Sequence, residues 1–407
     1  MYHRLICAIL AALMPLLLAA PAFAQGDAPA VPVLCGDLSD EDCAILEGAT
    51  AAAQNLTSYA AGMSMEIGVS GVPDLPVDPM RLSLLITGRF AYDETAHQVM
   101  QRMNALQGMS AEDMQALADE LPDLMLDLYR GMNFDMTMTY TLPPELAAEM
   151  SADSEVTFPE TMSFAMRMID GMMYVNIGEL RDLIPDAEDT FTADWMGMDY
   201  IGLMEMQMEQ GMGGAENPAM MGMMGGLGAA EMMKEMEQFV TIERLDDVDL
   251  NGQEGAVFAY TPDVIGFLTS DTFTDFVNQM VAQAAAQAGE DAPSAAEMRQ
   301  ATSMISFMAP MLFRDLEISA QTTIGLDDAM THSSVFNLTW DLTSLMQFAA
   351  MTDPALAETL GDAEPVITLD FTMDLSDFNA DMTFETPEDV QMIPLDEMMP
   401  VDQSAVF

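Results

Sequence analysis

The side chains able to do chemistry are uneven in kind: 67 Asp+Glu and 45 Met stand beside only 3 His and 3 Cys in 407 residues. A nucleophilic triad needs a histidine beside its nucleophile, and a zinc hydrolase needs histidines paired as in H-E-x-x-H. Beyond His3 the chain offers only His97 and His332, with no Cys-His pair and no such motif, so both read as solvated or packed histidines. Gly68, Val69, Ser70 and Gly71 resemble the start of a nucleophile elbow. That turn needs Gly where Val72 stands, and a Pro-rich stretch follows in place of a helix. Carboxylate pairs able to act as acid and base are so common in this composition that none is informative. The expectation is a protein that is not an enzyme and requires no cofactor.

Asp247, Asp249 and Asn251 place oxygens at positions 1, 3 and 5 of a calcium loop, with Gly252 at position 6. Phe258 holds position 12, where such a loop has a bidentate Glu. The same residues equally end one strand, turn at Asn-Gly and begin the next, and this hairpin is the favoured reading over a weak cation site. Methionine is the anomaly. M-x-M recurs from Met63, Met136, Met166, Met196 and Met204. Soft thioethers select Cu(I), which would make the clusters at 204–208 and 220–224 a copper buffer. In a strand, however, M-x-M sets both sulfurs on one face, here shared with Ile, Leu, Phe and Tyr, so the methionines also read as core packing or as an adaptable lining for a flexible acyl ligand.

The elements that would position these residues begin after residues 1–24. That stretch has a basic start, an apolar run and Ala22-Phe23-Ala24, the pattern of a cleavable secretory signal ending at Ala24. No lipobox cysteine follows it. Past that point only Cys35 and Cys43 remain, and in an oxidising compartment they are expected to pair. A formal net charge of −56, with a single lysine, opposes nucleic acid and anionic membrane surfaces as resting partners. Beyond the signal no stretch approaches the length of a spanning helix; residues 300–313 are uncharged but too short and contain Pro310.

Residues 25–38 form a leader, and Ser39 starts a capped helix carrying Ile45, Ala49, Ala52, Leu56 and Tyr59 at helical spacing. Strand alternation then dominates: Met63 to Val69, Leu82 to Phe90, Phe134 to Leu142, Met162 to Met168, Leu316 to Ile324, Phe336 to Leu342 and Ile367 to Leu375 each carry one apolar parity. Asp170-Gly171 and Asn251-Gly252 read as hairpin turns, so the sheet is expected to be antiparallel and meandering. Helices are expected from Ser110 through Leu128 with a bend at Pro122, and at about 263–288 and 294–311. A Met/Gly-rich insertion spans about 202–238, inside a single domain of residues 39–390 with a tail at 391–407. The class is α+β, with roughly eleven strands and several helices.

The run Met168-Ile-Asp-Gly-Met-Met-Tyr-Val175, the step Trp195-Met-Gly-Met-Asp199 and the later Leu245-Asp-Asp-Val-Asp-Leu-Asn-Gly252, followed by two helices, a hairpin and a closing strand, resemble the bacterial LolA-like and LppX/LprG-like carrier proteins. The resemblance implies a curved antiparallel half-barrel wrapped over helices, enclosing a hydrophobic cavity for the acyl chains of a lipid or lipid-modified partner. The lining residues would be Met136, Met138, Phe164, Met166, Phe371 and Met373, which lie on the apolar parity. A transient membrane or carrier-protein contact goes with that reading; a Cu(I) buffer and a ligand-free surface protein are its alternatives.

Overall fold

The computed structural model describes residues 33–73, 75–105, 120–152, 157–181, 192–209, 235–274, 277, 306–352 and 363–395. The expected signal peptide, residues 110–119 of the helix expected from Ser110, the cluster at 220–224 and most of the two helices expected at 263–288 and 294–311 lie outside them.

Where apolar residues alternate, the chain forms β1 (Ser58–Ser70), β2 (Met80–Tyr92), β3 (Met132–Thr141), β4 (Thr161–Ile169), β5 (Met172–Asn176) and β6 (Trp195–Asp199), a meander in sequence order. The second half contributes β7 (Val240–Arg244), β8 (Val248–Asp249), β9 (Glu254–Pro262), β10 (Leu316–Gly325), β11 (Thr331–Asp341), β12 (Val366–Ser376) and β13 (Val390–Met392). All belong to one sheet in the order β13-β6-β5-β4-β3-β2-β1-β12-β11-β10-β9-β7, with β8 paired to β9. The two meanders thus meet at the antiparallel pair β1 and β12 in the centre. The sheet is curved and open, lies over helices, and gives the expected α+β half-barrel. It has thirteen strands where the sequence reads as about eleven: β8 and β13 are two and three residues long, too short to show a period. β13 also runs parallel to β6, which makes the sheet mixed and carries strand pairing past residue 390.

The hairpin turns form where expected. Asp170 and Gly171 adopt φ of 52° and 77°, Asn251 and Gly252 φ of 59° and 99°, the left-handed pair that matches the twist of flanking strands.

Helix α1 (Asp40–Ala53) is capped by Ser39, whose Oγ accepts from the Asp42 N–H at 3.2 Å, and its acidic first turn suits the helix dipole. It stops earlier than the apolar spacing suggests, and Tyr59 enters β1. The Cys35–Cys43 disulfide is formed, with Cα atoms 5.4 Å apart. It holds Val33 and Leu38 against the cluster of Leu46, Ala49, Ala256, Phe258 and Ile324. Two helices absent from the sequence reading follow: α2 (Glu94–Ala105), where Asp93 Oδ1 accepts from the Ala96 N–H at 2.8 Å, and α4 (Pro144–Ala152). Between them α3 (Leu121–Gly131) has Pro122 in its first turn, so the proline starts this helix where the sequence suggested a bend, its missing N–H costing no bond there. The chain adds α5 (Gly178–Arg181), α6 (Tyr200–Glu209), α7 (Val264–Leu268) and α8 (Thr343–Thr352). Residues 202–209, read as the start of the Met/Gly insertion, are therefore helical; residues 210–234 lie outside the description.

The outer face of the sheet is polar. Arg89 and Arg167 each pair with Asp135 at 3.2 Å, and Arg167 also lies over the Trp195 ring at 5.0 Å. After β12 the chain crosses this face as a strap. Asn379 Oδ1 accepts from the Thr57 N–H at 2.8 Å, Phe384 sits under Arg89 at 5.6 Å, and the Glu385 carbonyl accepts from Arg167 at 3.0 Å before β13 joins the edge.

Candidate functional site

The polar candidates resolve into structural roles. His97, on α2, places Nε2 2.9 Å from Gln101 Nε2, and His332, on β11, places Nε2 2.9 Å from Asp328. Asp328 is partly buried, which raises its pKa, but the Met330 N–H and the His332 ring outweigh that and hold it below the ordinary carboxylate value. Asp247 is engaged by Arg244, and Asp249 Oδ1 accepts from the Gly252 N–H at 2.8 Å, closing the Asn251-Gly252 turn. These three residues thus make the hairpin. Among the described residues no group of three His, Cys, Asp or Glu side chains is placed to hold a metal ion. In the cluster at 204–208, α6 carries Met204 and Met208 one turn apart and sends Met206 to the opposite side, so the three sulfurs do not converge on one side of the helix. A notch of about 520 Å³ opens between Arg181, Asp194, Asp389 and Gln391, and polar atoms dominate its walls.

The inner face of the sheet is different in kind. Paired residues in an antiparallel sheet point to the same side, so the registers define rows of side chains across the strands. One row runs Phe164, Met138, Ile86, Met63, Met373, Ser334, Thr322 and Phe258, spanning β4 to β9 through the central pair. The next runs Met162, Tyr140, Leu84, Met65, Phe371, Phe336, Ala320 and Tyr260. On the other side lie Met196, Val175, Met166, Met136, Gly88, Ala61 and Leu375, a row kept low at its centre by Gly88 and Ala61. All six residues expected from the sequence fall on these three adjacent rows. Met136 pairs with Met166 and Met138 with Phe164; Met373 joins them through Met63 and Ile86, and Phe371 stands two residues from Met373. Met63 and Met65, whose M-x-M spacing already suggested such a face, belong to the same surface, and so do Leu84, Ile86 and Phe336, which were not singled out as lining although their parity along β2 and β11 signals it.

Burial varies along this face. At one end Ile67, Leu338 and Leu369 are buried, and at the other Phe134 and Met168 are, below the stacked rings of Tyr59 and Phe90. There burial raises the pKa of Tyr59 and, more strongly, of Tyr92, whose hydroxyls meet. Between the two ends Met63, Met65, Leu84, Ile86, Met136, Met138, Phe164, Met166, Met373 and Phe336 are only half-buried, Phe371 being the buried exception. Among the described helices, α1 touches β10, α2 touches β2, α3 touches β3, α5 touches β4 and α6 touches β5. Among the described residues no helix is long and apolar enough to cross a membrane.

No protein-family model matches the chain, and no curated protein does. Among solved structures it is similar to the lipoprotein LppX of Mycobacterium tuberculosis, at 10% identity and a TM-score of 0.23, over 85% of this chain and 100% of that one. It is similar to LprF from Mycobacterium bovis at 10% identity and a TM-score of 0.29, over 86% and 98% of the two chains. A DUF1329 family protein from Desulfovibrio piger matches at 6% identity and a TM-score of 0.18, over 85% and 96%. The architecture of this chain rests on its own strand order and register.

Proposed function

We propose that this chain is a non-enzymatic, extracytoplasmic binding protein that receives the acyl chain of a lipid or lipid-modified partner on its inner sheet face. One observation carries the reading: an apolar surface continuous over the two meanders is packed at both ends and half-covered in its three middle rows. Apolar surface left accessible in a folded chain costs about 25 cal/mol per Å², a cost that an acyl chain laid across the rows would recover without polar chemistry. Met136, Met138, Phe164, Met166, Phe371 and Met373 would supply much of that surface, and the unbranched methionines would adjust to chains of different length. The secretory pattern at residues 1–24 and the Cys35–Cys43 bond agree with an oxidising, extracytoplasmic compartment.

The test is to produce the protein with its own signal in a bacterial envelope, extract it with organic solvent and weigh the extract by mass spectrometry. The stripped protein is then titrated with a fluorescent fatty acid and, separately, with Cu(I) against a chelator. Co-purified acyl lipid and saturable probe binding lost in Met138→Asp are expected. Absence of both, or tight stoichiometric Cu(I) uptake in place of the probe, would overturn the proposal.

A further inference from the structure

Residues 306–312 are helical and break the sorting of apolar side chains seen elsewhere. Phe307 is 86% exposed, while among the described residues the next most exposed large apolar side chains, Leu85 and Met392, reach 49%. Pro310 and Met311 are exposed as well, and Ala309 is fully buried. Positions 307, 310 and 311 are spaced i, i+3 and i+4, so they share one side of the helix, turned outward. The base of that helix is fixed. The Ser306 hydroxyl donates to the Leu268 carbonyl at 2.9 Å, Trp340 Nε1 donates to the Leu312 carbonyl at 3.2 Å, and Phe313 stacks on Trp340 with ring centroids 5.3 Å apart. Trp340 pairs with Ile367 and Leu316 at the end of the inner face beyond Leu338 and Leu369. The exposed phenyl ring is therefore held at the rim of the apolar surface.

Charge identifies what it meets. In a chain with 67 acidic residues, residues 300–313 carry no charge at all, and Arg299 and Arg314 stand at their two ends. Arg314 is exposed and bonded to Asp315 at 2.9 Å. An exposed phenyl ring beside Met311, in a stretch of sequence without charge that ends at the Arg314 guanidinium, matches the interface of a bilayer, where apolar side chains enter the boundary between headgroups and acyl chains and arginine meets lipid phosphate. The formal charge of −56 would repel an anionic surface, so the lipid that fits is zwitterionic.

We infer that Phe307, Pro310 and Met311 form a tip that inserts into the interface of a zwitterionic bilayer, bringing the rim of the inner face to the membrane from which an acyl chain is taken or to which it is given. This rests on the acyl-binding reading, and the experiment separates the two. Wild type, Phe307→Asp, Met311→Asp and Leu85→Asp are floated with phosphatidylcholine vesicles, and each is titrated with the fluorescent fatty acid without vesicles. Leu85 is the control, because it lies on the polar outer face. Wild type and Leu85→Asp should float alike. Phe307→Asp should float at least roughly tenfold more weakly, the factor expected for one aromatic side chain removed from an apolar surface, and Met311→Asp should fall in between. All four should take the probe equally. On phosphatidylglycerol vesicles wild type should bind less well at low salt than at high salt, because screening relieves the repulsion. With probe binding intact, a wild type that does not float, a Phe307→Asp that floats like wild type, or an equal loss in Leu85→Asp would each overturn the tip and leave the inner face standing. A wild type that fails to take the probe would instead remove the acyl-binding reading, and the tip with it.

Discussion

Phe258 and Met138 occupy the same row of the sheet, six strands apart, and differ in what covers them. Phe258 is fully buried against Leu46, Ala49, Ala256 and Ile324, with Arg244 5.2 Å from its ring centroid. Met138 is half-buried. Truncation of Phe258 to alanine removes a filled volume under α1 and should cost roughly 3–5 kcal/mol, the range for a buried Phe→Ala change. Met138→Ala removes fewer contacts and leaves a surface that water already reaches, so it should cost less, about 1–2 kcal/mol. The binding readout runs the other way: Met138→Ala should weaken the fluorescent fatty acid measurably, whereas Phe258→Ala, under native conditions, should leave it close to wild type. Urea unfolding with a fixed m-value gives the first comparison and probe titration the second. Equal destabilisation by the two changes, with probe affinity untouched by Met138→Ala, would mean that the middle rows are an ordinary filled core and that the face binds nothing.

Two further outcomes are expected. Replacing Cys35 and Cys43 together by serine removes the closure of a short loop and should destabilise the chain by about 2.5 kcal/mol on the chain-entropy estimate, read as a lower urea midpoint; an unchanged midpoint would show that packing of Val33 and Leu38 alone holds the leader to α1. Burial pushes the Tyr260 hydroxyl up to about 12, only partly offset by its bond with Thr322. Because the folded protein keeps that proton while the unfolded chain loses it near pH 10, stability should be intact below about pH 10 and fall as pH rises from there towards about 12; Tyr260→Phe should flatten this decline, and an identical alkaline limb in the variant would refute the assignment.

The strands were legible because one-sided burial imposes a period of two, and the Asn-Gly and Asp-Gly turns because few residues tolerate two successive left-handed positions. The rows were legible only as parity. Which strands lie side by side is set by the central pairing of β1 with β12, a contact between residues some three hundred positions apart that no local pattern encodes. The helices fared worse for identifiable reasons. Leu56 and Tyr59 continue the spacing of α1 by coincidence, since Tyr59 belongs to the β1 parity and stacks on Phe90. Pro122 stands in the first described turn of α3, and the stretch from Ser110 to residue 119, on which the expected bend also depends, lies outside the described residues. Helix α2 did leave a trace, the Asp93 side chain set before an amide it caps, but its neighbours Glu94, Thr95 and His97 dilute the apolar stripe.

The placement of methionine within the sheet ties composition to the proposed function. Along β1 and β12 the branched residues Ile67 and Leu369 are buried, while Met63, Met65 and Met373 on the same face are half-covered. In β3 and β4 Met136, Met138 and Met166 are half-covered too; Met168 of β4 and Met80 of β2 are buried, and the branched Leu84 and Ile86 of β2 share the half-covered rows. Branched side chains have few rotamers and suit a site with one fixed neighbour; methionine has three rotatable bonds and suits a site whose neighbour changes. A packed core would gain nothing from this distribution, because flexible side chains lose more entropy when ordered than Ile or Leu does. A face that is occupied in one state and bare in the next keeps that entropy when bare and conforms to its ligand when filled. The outer face, pinned by the Arg89, Arg167 and Asp135 network and crossed by the strap to β13, supplies the rigidity against which the inner rows can adapt.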